Sequence, residues 1–368
     1  MAQLKPFRAL RYDVGAAGPL DALVAPPHDV ISTEDEERLR AASPYNAVRL
    51  VHPREPEEAA RLLADWRGRG VLVREERLAV WVLEEEFADP SGELRRRRGI
   101  VARVRLHPYA DGVVLPHERT FPKQKERRLE ILRAARTKLS PVLLLHDGGA
   151  PEPTGEPLLQ AELNGVRSRL WPVTDPEEIE HLLGLAGSRL VIADGHHRYE
   201  TALRFHEEDG SEESAHVLAV LVSHDDPGLD ILPTHRLTAG PVPALDGGAR
   251  TRLGGPQEAL AALGSLPRDR AAFVLLRHDG ATLVEAEGSM LDTALVDALP
   301  LEEVSFTASA ADAERAVATG AATAAFLVRP PTVRQVEAAA LAGERMPPKS
   351  TYFSPKLTSG LLFSPLDE

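Results

Sequence analysis

The chain has 368 residues, and its 43% hydrophobic and 27% charged residues are ordinary for a globular protein of two or three domains. It has no cysteine, which excludes disulfides, thiolate metal sites, iron–sulfur clusters and a cysteine nucleophile. The net charge of −13 repels polyanions, so DNA is not an expected partner. No apolar run approaches the ~20 residues that cross a membrane, and residues 1–6 contain no apolar signal core. We therefore expect a cytoplasmic protein without membrane association.

In the first part of the chain, strand and helix patterns alternate. The pattern predicts helices over 34–42, capped by Ser32 or Thr33, over 56–69 and over 125–136. Strands are expected over 78–87 and 99–106, and we interpret Arg95–Arg98 as part of the polar turn between them. Short buried strands follow over 142–145, 190–193 and 216–223, with a helix over 196–208.

The C-terminal part begins with a stretch over 241–267 that is rich in Gly, Pro and Ala and that indicates a boundary. A hairpin over 271–276 and 281–287, a helix over 310–319, a strand over 324–328 and a helix over 332–341 are expected beyond it. The prediction is a mixed α/β fold with a main domain over 1–240 and a smaller α/β unit over 241–368. The apolar residues Leu361–Phe363 predict that the tail over 343–363 returns to the main domain.

Standard nucleotide and hydrolase motifs are missing. The chain contains no P-loop, no glycine-rich dinucleotide turn and no nucleophile elbow. The nearest imitation of a P-loop is Lys349-Ser350-Thr351, but the two preceding residues, Pro347 and Pro348, have no N–H to offer a phosphate.

The most informative segment is Asp194-Gly195-His196-His197-Arg198, where an apolar strand runs directly into a helix. Such a junction directs backbone N–H groups and the positive end of the helix at whatever lies above it. Gly195 allows close approach of the backbone, and the two histidines and the arginine add donors. The pattern favours a phosphate site, with Asp194 as a ligand for a metal or a proton; the alternative is that Asp194 merely caps the helix.

Three further segments carry candidate site residues. In the loop over 115–123, Glu118 is a candidate general base, and Arg119 and Lys123 are candidate clamps for phosphate oxygens. Prolines fix a loop that presents His28 and Asp29. The polar and aromatic stretch over 345–356, which contains Lys349, is expected to form a fixed loop. The alternatives are a surface loop with salt bridges for 115–123, a structural turn for the loop with His28 and Asp29, and a disordered tail for 345–356.

Seven short motifs together resemble one known family, DUF1015, in order and over nearly the whole chain. They are Pro6–Ala9, Ala25–Val30, Ser43–Asn46, Pro116–Thr120, Asp194–Glu200, Pro233–Arg236 and Met346–Phe353. The family usually has Tyr where this chain has His28. Members are linked to ATP-dependent phosphorylation of free L-serine, and Asp194–Arg198 resembles the phosphate-binding turn of free serine kinases. The resemblance implies a ParB/sulfiredoxin-like core with additional N- and C-terminal α/β elements.

The resemblance implies a kinase that transfers the γ-phosphate of ATP to the hydroxyl of free L-serine, giving O-phospho-L-serine. The expected catalytic residues are Glu118, Asp194 and His197, with Asp194 also holding Mg²⁺. ATP is expected to contact Gly195, His196, Arg198, Arg119, Lys123 and Lys349. Asp29 and Arg236 are the candidate contacts for the amino-acid substrate.

Two other functions stay open at this stage. One is a ParB-like nucleotide-binding regulator without small-molecule kinase activity. The other is a His/Asp metallohydrolase built from His28, Asp29, His117, Glu118, Asp194, His196 and His197, although their spacing fits no metal-site template. The sequence leaves the phosphate donor, the acceptor and the oligomeric state undetermined.

Overall fold

A computed structural model describes residues 2–120, 122–245, 248–286 and 291–367, without the side chains of residues 29 and 122–124. The chain forms two compact units. The first comprises Met1–Pro116, Thr120–Asp230 and Pro355–Glu368, and the second comprises His117–Arg119 and Ile231–Ser354. Among the described residues, no helix is long and apolar enough to span a membrane.

Helices and strands occur in both units. The strands are β1 (Leu4–Lys5), β2 (Leu10–Tyr12), β3 (Leu72–Arg74), β4 (Val80–Ala88), β5 (Leu94–Arg105), β6 (Val114–Leu115), β7 (Thr137–Lys138), β8 (Val142–His146), β9 (Leu159–Leu163), β10 (Val166–Val173), β11 (Leu190–Asp194), β12 (His216–Ser223), β13 (Asp230–Leu232), β14 (His235–Thr238), β15 (Ala249–Leu253), β16 (Ala271–Arg277), β17 (Gly280–Ala286), β18 (Val304–Thr307), β19 (Ala324–Leu327), β20 (Tyr352–Ser354) and β21 (Ser364–Pro365). The helices are α1 (Val14–Ala17), α2 (Thr33–Ala42), α3 (Val48–Val51), α4 (Pro56–Gly68), α5 (Pro122–Ala135), α6 (Pro176–Gly184), α7 (His196–Asp209), α8 (Pro256–Ser265), α9 (Asp292–Asp297), α10 (Ala310–Ala318) and α11 (Val333–Leu341).

The first unit is built on a mixed sheet with the strand order β6-β11-β8-β12-β5-β4-β10-β9, to which β1 adds beside β5. The pairs β8–β12 and β6–β11 are parallel, and β11 runs antiparallel to β8. Every residue of β12 is buried, as is typical of a central strand covered on both faces.

Helix α7 packs on β8 and β12 and against α5. Its buried residues Tyr199, Ala202 and Phe205 recur every three positions, so they share one face of the helix. Tyr199 and Ala202 join Val142, Leu144 and other apolar residues of the main core of this unit. This packing holds the start of α7 at the end of β11.

The second unit has an antiparallel sheet with the strand order β15-β17-β16-β19-β14-β18. One apolar cluster includes residues of α8 and α10, and another includes Phe273, Val296 and Phe326. Alternate residues of a strand face opposite sides of a sheet, which explains why one sheet carries two separate clusters.

The mixed α/β class is confirmed, and so are the helix predicted over 196–208 and the strand predicted over 216–223. The polar turn predicted over 88–98 is wrong in most of its length, because Arg95–Arg98 lie within β5. Arg96, Arg97 and Arg98 stand opposite Glu86, Glu85 and Glu84 of β4 in the register of the sheet. Cross-strand pairs of opposite charge stabilise a strand that its own composition does not favour.

The division of the chain differs in detail from the predicted boundary at residue 240. The second stretch of the first unit ends at Asp230, and β14, which follows it in the chain, is an inner strand of the second unit's sheet. Residues 343–354 of the predicted returning tail also lie in the second unit, whereas the chain from Pro355 onward packs in the first. There Leu361, Leu362 and Phe363 are buried.

Candidate functional site

A sharp corner joins β11 to α7 in the first unit. Asp194 ends the strand, His196 begins the helix, and Gly195 between them has φ 96° and ψ 28°, in the left-handed region that favours glycine. A Cβ at this position would lie 3.0 Å from the guanidinium carbon of Arg198. Because the N-cap residue is a glycine, no N-cap side chain forms a hydrogen bond with the backbone N–H groups of the first turn.

Asp194 forms ion pairs with two cations. Arg198 Nη2 donates to its Oδ2 atom, and Lys356 Nζ donates to its Oδ1 atom. The three side chains are only 9–14% exposed. Burial acts to raise the pKa of Asp194, but Lys356 and Arg198 outweigh it, so the pKa lies well below its usual range. The ionised carboxylate of Asp194 thus holds two cationic side chains beside the start of α7.

Arg198 also links the corner to the neighbouring strand, because its Nη1 atom donates to the backbone carbonyl of Pro141 just before β8. The guanidinium is therefore held between the ends of two adjacent strands. Next to it on the first turn, His196 is buried and His197 is partly exposed. The charge of His196, when protonated, acts to lower the pKa of Asp194.

Glu200, one turn into α7, was missed by the sequence analysis. Its carboxylate accepts hydrogen bonds from Thr120 Oγ1 (2.7 Å), Lys125 Nζ (2.8 Å) and Tyr109 OH (3.3 Å). It therefore links Thr120 and Lys125 to the helix that starts at the corner. The predicted residue Lys123 belongs to the same stretch, but its side chain lies outside the described part of the structure. Glu200 directly follows the motif in sequence, yet its donors lie 75 or more positions away.

In the second unit, Glu118 and Lys349 meet. The backbone N–H of Lys349 donates to Glu118 Oε1 over 3.1 Å, and Glu118 pairs with Met346 in an isolated parallel bridge. Lys349 has φ +60°, a left-handed conformation that a lysine adopts only when its surroundings impose it.

Arg236 supplies that constraint from inside the second unit. Its side chain is fully buried and binds both carboxylate oxygens of Asp297, at 2.9 and 2.8 Å. Its remaining N–H groups reach the backbone carbonyls of Thr234 (2.5 Å), Lys349 (3.2 Å) and Pro348 (3.5 Å). The five N–H groups of the guanidinium thus all have protein acceptors, so Arg236 fixes the turn that carries Lys349.

The other predicted site residues are dispersed. Arg119 is exposed in the second unit. In the first unit, Asp29 lies in the short 3₁₀ helix His28–Val30, and its side chain lies outside the described residues. The ring of His28 packs on that of His52 with the centroids 4.4 Å apart.

The described side chains were compared with the geometry that a bound metal ion requires. In the part of the chain that the structure describes, no group of three or more His, Asp or Glu residues has the geometry to hold a metal ion. Both carboxylate oxygens of Asp194, the expected Mg²⁺ ligand, accept hydrogen bonds from cationic side chains. The metallohydrolase interpretation therefore has no supporting cluster among these residues.

The protein is thus a mixed α/β protein of two units. In the first unit, Gly195 is the N-cap of α7, and the side chains of Arg198 and Lys356 lie beside it, paired with Asp194. The chain belongs to the DUF1015 family, described as proteins of unknown function, whose model matches residues 4–289. No curated protein matches the chain.

Several solved structures are distant structural likenesses. One is a free serine kinase in complex with AMP (17% identity, TM-score 0.40, 66% of this chain and 84% of that one). Another is a conserved hypothetical protein from Pyrococcus furiosus (17%, 0.40, 67% and 89%). A third is a C-terminal truncation of SbnI from Staphylococcus aureus (15%, 0.38, 71% and 87%).

Proposed function

We propose that this protein is a phosphotransferase that moves the γ-phosphate of ATP to the hydroxyl of free L-serine and produces O-phospho-L-serine. The observation that carries the proposal is the corner at Gly195, where the start of a 14-residue helix without a side-chain cap lies beside Arg198 and Lys356. A helix N-terminus attracts phosphate through its N–H groups and its positive dipole end.

The triad formed by Asp194, Arg198 and Lys356 explains how a protein of net charge −13 can receive a polyanion. The two cations and one carboxylate leave a local charge of +1, and the carboxylate keeps both cations in place without a ligand. An arriving phosphate offers several acceptor oxygens, so it can share these donors with Asp194. Gly195 and His196 are the other proposed contacts of the nucleotide on the first turn, and His197 keeps its proposed catalytic role.

Phosphoryl transfer breaks the bond between the γ-phosphorus and its bridging oxygen, which leaves with ADP, while the serine Oγ forms the new bond to phosphorus. The serine hydroxyl must give up its proton, and Glu118 is the proposed acceptor. Its hydrogen bond with the Lys349 amide fixes the position of the carboxylate. Because both carboxylate oxygens of Asp194 accept hydrogen bonds from cationic side chains, we assign Asp194 to positioning Arg198 and Lys356 and not to binding Mg²⁺.

The remaining sequence-derived roles stay proposals with one revision. Arg119, Lys123 and Lys349 are proposed to contact phosphate oxygens, and Asp29 to contact the substrate ammonium group. Arg236 has no N–H group left for a substrate carboxylate, so we assign it a positioning role for the turn at Lys349.

The test is ADP release from ATP with a panel of free amino acids, followed by the same assay on Glu118→Gln. We expect turnover with L-serine, and a kcat lowered ~10²–10⁴-fold in Glu118→Gln with ADP affinity kept, because the variant removes a proton acceptor and not a phosphate contact. Glu344→Gln, the same change at an exposed position of the second unit, is the matched control.

Two results would contradict the proposal in different ways. Full activity of Glu118→Gln would show that another group accepts the proton. Nucleotide binding without ADP release for any amino acid would favour the regulator over the kinase.

A further inference from the structure

The first unit contains an open cavity of about 80 Å³ next to α7. Its polar lining includes Arg128, Lys138, Arg198 and Thr201, and its apolar lining includes Ile131 and Val217. No Asp or Glu is among the described residues that line it. The wall thus combines apolar surface with three basic side chains, in a protein whose overall charge is negative.

Lys138 is the unusual member of this lining. The residue is only 5% exposed, and its Nζ atom is buried without a hydrogen-bond acceptor in the described structure. Its neighbours are the ring of Phe205, with Nζ 5.4 Å from the centroid, and the charged groups of Arg103 and Asp209. Asp209 is already paired with Arg136 over 2.7 Å, so Lys138 has no carboxylate of its own.

The surroundings of Lys138 disfavour its charged form. Burial, together with the charge of Arg103, lowers the pKa of Lys138 to about 7, against a weaker opposing effect of Asp209. A protein gains nothing in stability from such a group, since a buried cation without a partner is unfavourable. Thr201 repeats the pattern, because it is 4% exposed and its Oγ1 atom has no partner among the described residues.

We propose that this cavity binds the anionic group of a small organic molecule, with Lys138 as its main cation and Thr201 as a further donor. The apolar wall at Ile131 and Val217 would cover the uncharged part of the ligand. The charge chemistry is shared by a carboxylate, as in a free amino acid, and by a phosphate, as in a nucleotide. The choice of a free amino acid and a nucleotide as candidate ligands rests on the proposed function, whereas the anion site itself does not.

The experiment measures binding of sulfate, AMP and L-serine separately by calorimetry at pH 7 to the full-length protein and to Lys138→Met. Methionine keeps most of the apolar volume and removes the charge. We expect at least one probe to bind the unchanged protein and to lose about tenfold or more in affinity in Lys138→Met, as is typical for a lost charged hydrogen bond. Binding of AMP or sulfate would indicate that the site takes a phosphate. Binding of L-serine would indicate that it takes a carboxylate.

Two further variants sharpen the result. Arg315→Met removes one positive charge from an exposed helix of the second unit, so it controls for net charge and should bind every probe normally. Thr201→Val keeps the shape of a buried side chain that has no described partner, so it should fold and bind the same probe several-fold more weakly.

The proposal is overturned if no probe binds the unchanged protein, or if Lys138→Met and Thr201→Val bind as tightly as it does. These outcomes are separate from the kinase assay. Lack of ADP release with every amino acid would contradict the proposed function and would leave a Lys138-dependent anion site in place.

Discussion

Asp194 shows at the scale of one residue how the corner is held together. Two buried cations converge on one carboxylate, and each would be costly to bury alone. Because the pKa of Asp194 lies well below its usual value, its ionised form stabilises the folded state above pH ~4, where an unfolded Asp is also ionised. That contribution is lost as the pH falls through the lower pKa of the folded state.

We expect Asp194→Asn to lower the free energy of unfolding at pH 7 by roughly 2–5 kcal/mol, because it removes the carboxylate charge that pairs with both Arg198 and Lys356. The difference from the unchanged protein should shrink as the pH falls below about 4. Urea unfolding at pH 7 and pH 3 measures both effects. Asp35→Asn is the control, since Asp35 pairs with Arg38 on the surface, where such a pair contributes about 1 kcal/mol or less. Equal losses in the two variants would contradict the role of Asp194.

Of the two ion pairs of Asp194, the sequence could predict the one with Arg198. Asp194 and Arg198 are four residues apart at a strand-to-helix junction, and local pattern suffices to bring them together. Lys356 lies 162 positions away from Asp194, and no local pattern identifies it as the second partner. Lys138 was passed over for a related reason, since its burial depends on Phe205 and Arg103, which are distant in sequence.

At the scale of elements, α7 illustrates a helix with different requirements at its two ends. Gly195 precedes it and Gly210 follows it, and both have positive φ, at +96° and +69°. A side chain at Gly210 would meet nothing within 4 Å, whereas one at Gly195 would touch the guanidinium of Arg198. A substitution at Gly210 therefore reports the cost of backbone strain alone, whereas one at Gly195 adds a contact with Arg198.

We expect Gly195→Ala and Gly210→Ala each to lower the free energy of unfolding by about 1–2 kcal/mol, the cost of a left-handed alanine. Only Gly195→Ala should also weaken ADP binding, by about tenfold or more, because the new Cβ displaces Arg198. Thermal unfolding and ADP calorimetry on both variants provide the measurements. Similar ADP affinities in the two alanine variants would argue against the nucleotide contact at this corner.

Elements defined by their own sequence were predictable, and those defined by a partner were not. The apolar run of β12 and the helical stripe of α7 have intrinsic patterns that match their structure. The arginine-rich end of β5 has no such pattern, and it is a strand because the glutamates of β4 stand opposite it. The same reasoning applies to Arg236. We expected it to contact the substrate, because no local sequence pattern indicates that it pairs with Asp297.

At the scale of the whole molecule, the last residues of the chain complete the first unit. Lys356 pairs with Asp194, the carbonyl of Pro355 accepts from buried Arg97, and β21 pairs with β7. Phe363 exchanges two backbone hydrogen bonds with Leu10, at 2.8 and 3.0 Å. The C-terminal segment is therefore part of the core of a unit whose other residues all precede position 231.

Phe363 allows this contribution to be measured, because its ring is fully buried and packs edge-on against Tyr12, which in turn contacts Trp66. All three tryptophans of the chain, Trp66, Trp81 and Trp171, lie in the first unit, so tryptophan fluorescence reports on that unit. We expect Phe363→Ala to lower the free energy of unfolding followed by fluorescence by about 3–5 kcal/mol, as is typical for a large aromatic removed from a core. Phe273→Ala makes the same change in the core of the second unit and should affect unfolding followed by circular dichroism more than unfolding followed by fluorescence. A fluorescence transition that Phe363→Ala leaves unchanged would mean that the first unit reaches its full stability without the packing of the Phe363 ring.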